Sequence, residues 1–159
     1  MHNSPRSAKI VQFGTMVIEL GHTVSTFTHL RAMVCESVGP VKHEVSVPFH
    51  DSQVRGAALL IQTGWDRYWG TDEYWKDPPF LADHLIFRMV RSTVKLVGVD
   101  FPLTGRSAGT RLVMTGKIPI VENLRDLGAL PRIGFHFSAV PLETTPGGVC
   151  SVHAFAETI

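Results

Sequence analysis

All three Trp and both Tyr of this chain fall in one stretch, Trp65-Asp66-Arg67-Tyr68-Trp69-Gly70-Thr71-Asp72-Glu73-Tyr74-Trp75, directly behind an apolar run that ends in Thr63-Gly64. Amphipathic rings at the end of a buried strand supply contact area, an apolar body and a few polar tips. That is the make-up of a small-molecule pocket or a protein interface; the same rings would also serve to cap a core beneath a long loop. Asp66, Asp72, Glu73 and Asp77 accompany them and read as solvated loop charges. Asp100 closes a β-branched run, where an acid either acts on a ligand or caps a turn. His43, His50, His84, His136 and His153 have no mutual metal-ligand spacing and read as structural or surface residues. The sequence has no Ser-His-Asp or Cys-His nucleophile arrangement, no Gly-rich phosphate loop and no Cys-x-x-Cys pair.

The elements that must position these residues alternate along the chain. Ile10-Val11-Gln12-Phe13 and Met16-Val17-Ile18-Glu19-Leu20 read as strands broken by a turn or bulge at Gly14 and ended by Gly21. Ala57 to Gln62 reads as a buried central strand. Behind Asp77-Pro78-Pro79, the residues Leu81, Leu85, Ile86, Met89 and Val90 recur at helical spacing, which predicts an amphipathic helix with a proline-marked start. A strand Val94 to Asp100, a short helix Ser107 to Met114 and a strand Ile118 to Glu122 follow. The chain closes with a helical turn around Leu124 to Leu130, a strand Gly134 to Leu142, a Pro146-Gly147-Gly148 turn and a strand Val149 to Phe155. Alternation in the middle predicts parallel pairing, and the hairpin-like ends predict antiparallel additions, so the fold class is α/β with a mixed sheet.

The 159 residues suit one domain, residues 1–159, large enough to bury its own core. Lys+Arg 15 against Asp+Glu 14 leaves a net charge of +1. The basic residues are scattered, which argues against nucleic-acid or membrane partners. With no leading apolar segment, and with Cys35 and Cys150 isolated in sequence as small hydrophobes, the expected location is a reducing cytoplasm.

Three segments in fixed order carry a resemblance: Leu59-Leu60-Ile61-Gln62-Thr63-Gly64-Trp65 with Trp69, Tyr74 and Pro79 behind it; Val97-Gly98-Val99-Asp100; and Ile118-Pro119-Ile120-Val121-Glu122-Asn123-Leu124. Glu36-Ser37-Val38-Gly39-Pro40 fits a loop of the same pattern. Together they resemble the cyclase family of metal-dependent hydrolases and cyclases, which includes kynurenine formamidase and isatin hydrolase, over roughly Gly21 to the C-terminus. The resemblance implies a single swivelling β/β/α domain, a homo-oligomer with its site near subunit contacts, and a leading family segment missing from this chain.

It also implies a His-x-Gly-Thr-His-x-Asp-x-Pro-x-His metal motif and a later His twelve residues before the Glu of the last segment. Laid on this chain, the motif retains His22, but Thr26 and Thr28 stand at metal-ligand positions and Ala32 at the last His. Thr110 occupies the later His position, whereas Glu122 is retained. His29 lies seven residues from His22 (29 − 22 = 7), on the opposite face if both share a strand. Neutral Thr hydroxyls are poor ligands for a catalytic divalent metal. No cofactor is expected, and Zn or Mn is disfavoured.

The resemblance then implies His22 as an acid/base oriented by Glu122, because a carboxylate beside an imidazole raises its pKa. Trp65, Tyr68, Trp69 and Tyr74 would form apolar walls, Thr26, Thr28 and Thr110 polar anchors, and Arg111 a fixed cation near Glu122. The expected function is a metal-independent cyclisation or dehydration of a small carbonyl-rich or aromatic metabolite, as in natural-product biosynthesis. Two alternatives stand beside it: a non-catalytic relative that binds a ligand or a partner subunit, and a metal-dependent amide or ester hydrolase with a rearranged site.

Overall fold

Ala58-Leu59-Leu60-Ile61 has apolar residues at every position, so whatever sheet it joins must be covered on both faces. All four residues are fully buried. A computed structural model of the protein describes residues 8–17, 27–37, 44–103, 118–142 and 149–158. Within these, nine strands are present: β1 (Ala8–Val17), β2 (Leu30–Glu36), β3 (Glu44–Val45), β4 (Ala58–Gln62), β5 (Phe80–Leu81), β6 (Leu96–Val99), β7 (Ile120–Glu122), β8 (Phe135–Pro141) and β9 (Val149–Thr158). Helices are few: a single turn, α1 (Asp51–Val54), and α2 (Asp83–Arg91), with short 3-10 turns at Trp65–Tyr68, Asp72–Trp75 and Leu127–Ala129.

Seven strands close into a barrel in the order β1-β7-β6-β4-β2-β8-β9, with β9 returning to β1. The run β2-β4-β6-β7 is parallel. Strands β1, β8 and β9 add antiparallel pairs. This is the mixed sheet of an α/β fold, closed on itself; β3 and β5 form a separate parallel pair.

The period-2 alternation of the central strands divides the apolar residues between two cores. Leu59, Ile61, Val97, Val99 and Ile120 join Leu85, Ile86 and Met89 of α2 in one cluster, which must lie outside the barrel because the helix does. Their neighbours Ala58, Leu60, Leu96 and Val121 join Phe135, Phe137, Ala139, Val152, Ala154 and Ala156 in the other, the barrel interior. Small residues suit that interior, and Gly98 is one of them. A Cβ there would meet Leu60 Cδ2 at 2.6 Å and Leu124 Cδ1 at 2.7 Å.

Several expected boundaries shift. The first segment is one continuous strand across Gly14, paired along β9, and its register break falls between Ala8 and Ile10 instead. The helix begins at Asp83, since Phe80-Leu81 pairs with Glu44-Val45 and so leaves Leu81 in a strand. Strand β2 was not legible in the sequence. The Ser107 to Met114 helix and the Pro146-Gly147-Gly148 turn lie outside the described residues.

Helix α2 ends in a Schellman arrangement: the Val94 amide donates to the Met89 carbonyl and the Thr93 amide to Val90. The left-handed position falls on Thr93, at φ 57°, where a β-branched residue is strained. Thr93→Asn is therefore expected to stabilise the protein by about 1 kcal/mol, a rise of about 3 °C in Tm in thermal melts. An unchanged or lower Tm would refute the strain.

Candidate active site

The parallel strands β2, β4, β6 and β7 bring their carboxyl ends to one rim of the barrel, the place where open α/β folds gather ligand-binding groups. Glu36, Gln62, Asp100 and Glu122 stand at those ends. Lateral bonds tie the rim together. The Ser37 amide donates to the Gln62 carbonyl at 2.8 Å and the Asn123 amide to the Phe101 carbonyl at 3.3 Å. Arg132 Nη1 reaches Gln62 Oε1 at 2.9 Å.

Asp100 is almost wholly buried, at 1% exposure. It accepts hydrogen bonds from the Thr63 hydroxyl at 2.6 Å, the Thr63 amide at 2.9 Å and the Gly64 amide at 2.9 Å. Gly64 occupies the left-handed region at φ 86°, so the chain turns sharply out of β4 where the carboxylate holds it. The acid is thus a cap, though for a turn some 37 residues away in sequence and not for the turn that follows it. Burial pushes its pKa up to about 6, against the opposing effect of the three donors.

From that turn the aromatic stretch folds over the rim. The Trp65 amide donates to Thr63 Oγ1 at 3.1 Å and its indole N–H to the Tyr74 carbonyl at 2.9 Å. Trp65 packs against the outer core and meets Tyr68 at 4.7 Å between ring centroids. Tyr74, with 0% exposure, lies edge-on to Trp69 at 5.1 Å and to Trp75 at 5.0 Å. Trp69 and Trp75 are themselves 40% and 55% exposed. The stretch therefore divides: Trp65 and Tyr74 are packed inward, and the outer Trp rings remain open to contact.

Three ties hold this cover to the exit of β7. The Tyr74 hydroxyl donates to Asn123 Oδ1 at 2.7 Å. The Arg125 guanidinium lies 4.8 Å from the Trp69 ring centroid, and the Asp126 amide donates to Asp66 Oδ2 at 2.9 Å. Asn123 and Asp126 both have positive φ, 65° and 57°, a conformation Asn and Asp tolerate better than other side chains. The Tyr74 phenol is held far above its ordinary pKa by burial, then by the charges of Asp100, Glu122 and Asp66, against Arg125. It stays a donor.

Glu122 is half-buried. Its Oε2 accepts the Leu103 amide at 2.9 Å, and the Asn123 side-chain amide lies 3.5 Å from Oε1. Desolvation raises its pKa from the ordinary value of a glutamate, partly offset by those two donors. Of the residues singled out in the sequence, Glu122, Tyr74, Trp69, Trp65 and Tyr68 are thus gathered on one rim. Thr28 is exposed in the short segment Phe27–His29 ahead of β2. His22, Thr26, Thr110 and Arg111 lie outside the described residues. His29 precedes β2 at φ 54° and stacks on His136 at 4.0 Å between centroids. Asn123 and the Leu103 amide were missed; the Glu122-Asn123 pair at a strand end was the available signal for the first.

By residue type, the positions matched to the family's metal motif are a poor donor set for a divalent metal. They offer the Glu122 carboxylate, whose Oε2 accepts the Leu103 amide, one imidazole at His22 and otherwise neutral hydroxyls. Among the described residues no three His, Cys, Asp or Glu side chains converge as a ligand set. Likewise, no helix among them is long and apolar enough to cross a membrane.

Comparison with known proteins places the architecture. The family model for cyclases matches residues 15–105. An uncharacterised protein of Methanocaldococcus jannaschii is 30% identical over 135 residues, covering 69% of this chain and 70% of its own length. Among solved structures, an isatin hydrolase bound to the product analogue thioisatinate superposes with a TM-score of 0.67 at 12% identity, over 91% of this chain and 71% of its own. A potential metal-dependent hydrolase with cyclase activity also gives 0.67, at 14% identity, over 92% of this chain and 78% of its own.

Proposed function

This chain belongs to the cyclase family, and from that premise we propose that it is a metal-independent member catalysing acid/base-assisted cyclisation or dehydration of a small carbonyl-rich or aromatic metabolite. The observation that carries this reading is Glu122: a half-buried carboxylate with a raised pKa, beneath an aromatic cover at the carboxyl end of a parallel strand. A group poised that way exchanges a proton nearer neutrality than an exposed acid does. His22 is its partner in the reading, as acid/base, with Glu122 orienting it. Ring closure needs chiefly a folded substrate in a near-attack shape and one proton transfer. The rings of Trp69 and Tyr68 supply the apolar walls in this reading. An isatin hydrolase bound to a product analogue among the structural relatives favours a small-molecule substrate.

A second reading, ligand or partner binding without turnover, draws on the commitment of Trp65, Tyr74 and Asp100 to structural hydrogen bonds, with Trp69 and Trp75 left exposed. The test is turnover of small carbonyl-rich metabolites by the purified protein, followed by mass spectrometry with and without chelator, beside elemental analysis. Turnover indifferent to chelation, with substoichiometric metal, is the expected result. Turnover lost to chelator and restored by zinc or manganese would establish a rearranged metal hydrolase, and binding without turnover the second reading.

A further inference from the structure

One side chain links Tyr74 to Glu122 by hydrogen bonds. Asn123 presents its carbonyl oxygen to the Tyr74 hydroxyl at 2.7 Å and its NH2 group to Glu122 Oε1 at 3.5 Å. An Asn side chain can be turned end for end with little change of shape, so something must select its orientation. Were it reversed, its oxygen would face a carboxylate and its NH2 the phenol. We propose that Tyr74 is a positioning residue for Glu122: its hydroxyl fixes the Asn123 amide so that the N–H end, and not the oxygen, faces the Glu122 carboxylate.

The phenol is suited to that task. It is fully buried, and the surrounding acids Asp100, Glu122 and Asp66 oppose its ionisation, so it remains an O–H donor throughout the working pH range. Its ring is clasped between Trp69 and Trp75, and its backbone carbonyl is held by the Trp65 indole. The left-handed backbone at Asn123, φ 65°, explains why Asn and not Gln stands here: among amide side chains it tolerates that conformation best. An N–H directed at a carboxylate favours its charged form. Tyr74 thereby restrains the rise that desolvation imposes on the pKa of Glu122.

The inference rests on the acid/base reading only for its catalytic meaning; its test does not need a substrate. The measurement is the titration midpoint of Glu122 by carboxyl 13C NMR, assigned with Glu122→Gln. Tyr74→Phe keeps the ring and removes the O–H, and should raise the midpoint by about half a unit or more. Asn123→Gly keeps the left-handed backbone and should raise it similarly. In the double variant the two shifts should fail to add, since both act through one amide. An unmoved midpoint in Tyr74→Phe, or additive shifts, would overturn the proposal. Should Tyr74→Phe not fold, the wild-type protein decides: the Asn123 side-chain NH2 signals should follow the Glu122 midpoint as pH is varied, and signals indifferent to it would overturn the proposal. A shifted midpoint in a protein without turnover leaves the positioning intact and removes the catalytic reading. An unmoved midpoint in an enzyme that needs Glu122 does the reverse.

Discussion

Asp100→Ala is expected to melt about 10 °C below the wild-type protein, the largest effect of any single substitution on the rim. The side chain satisfies two amide N–H groups and one hydroxyl at the outlet of β4. Deleting it leaves those donors buried without an acceptor, at a cost of about 1–3 kcal/mol each before any water enters. About 3 kcal/mol in total is a fair expectation. The pH dependence has a definite sign. Because the folded pKa is raised from 3.8 to about 6, the folded state holds a proton that the unfolded chain has released between those values. Stability from Asp100 is thus fullest below its unfolded pKa, falls as pH rises through that window and is flat above it. The penalty of Asp100→Ala should therefore be larger at pH 4 than at pH 7, the opposite of an ordinary ion-paired aspartate. Denaturant titrations of both proteins across that range measure it. A penalty that grows toward neutral pH would show that the donors, and not desolvation, dominate. Tryptophan emission should also change before global unfolding in the variant, since Trp65 hangs from the same Thr63 hydroxyl.

Glu122→Gln is expected to cut turnover by about 10²–10⁴-fold, the usual worth of a positioned acid/base group, with Tm unchanged or slightly raised. Both halves matter. Glutamine keeps an acceptor for the Leu103 amide and removes a carboxylate whose charged form the fold disfavours, so stability should not suffer. Loss of turnover without loss of fold separates chemistry from scaffolding. The wild-type pH profile should carry a limb displaced upward from that of an exposed glutamate, absent from the residual activity of the variant. His22→Ala should fall to a comparable level if the two residues act as one unit. An enzyme indifferent to both substitutions would sink the acid/base reading.

Much of this arrangement was legible because its signals are local. The unbroken apolar run of β4, the period of α2 and the retained Glu122 announce themselves within a few residues. What the sequence hides is pairing at a distance. Tyr74 and Asn123 are 49 residues apart, and no property of either names the other. Asp100 reads as a cap from its place at a strand end, but the turn it caps belongs to β4. Helix α2 starts late because Leu81 is taken by a two-residue strand, a tertiary pairing that overrides the helical period. Strand β2 carries Arg31 and Glu36, which blur its pattern. Closure of the sheet is likewise a global fact, written in no single strand.

That closure governs the order in which the protein can be made. Strand β1 has no partner among its sequence neighbours: it pairs with β7 and with β9, from Ala8 opposite Glu157 to Val17 opposite Val149. On the ribosome it must wait for β7 on one side and for β9 on the other, while β4 and β6 already have each other. High contact order of this kind slows folding, and a waiting strand is an invitation to wrong pairing. The last of the described strands to be made, β9, is therefore also the one that shuts the barrel, and the rim that carries Glu122 acquires its full support only then.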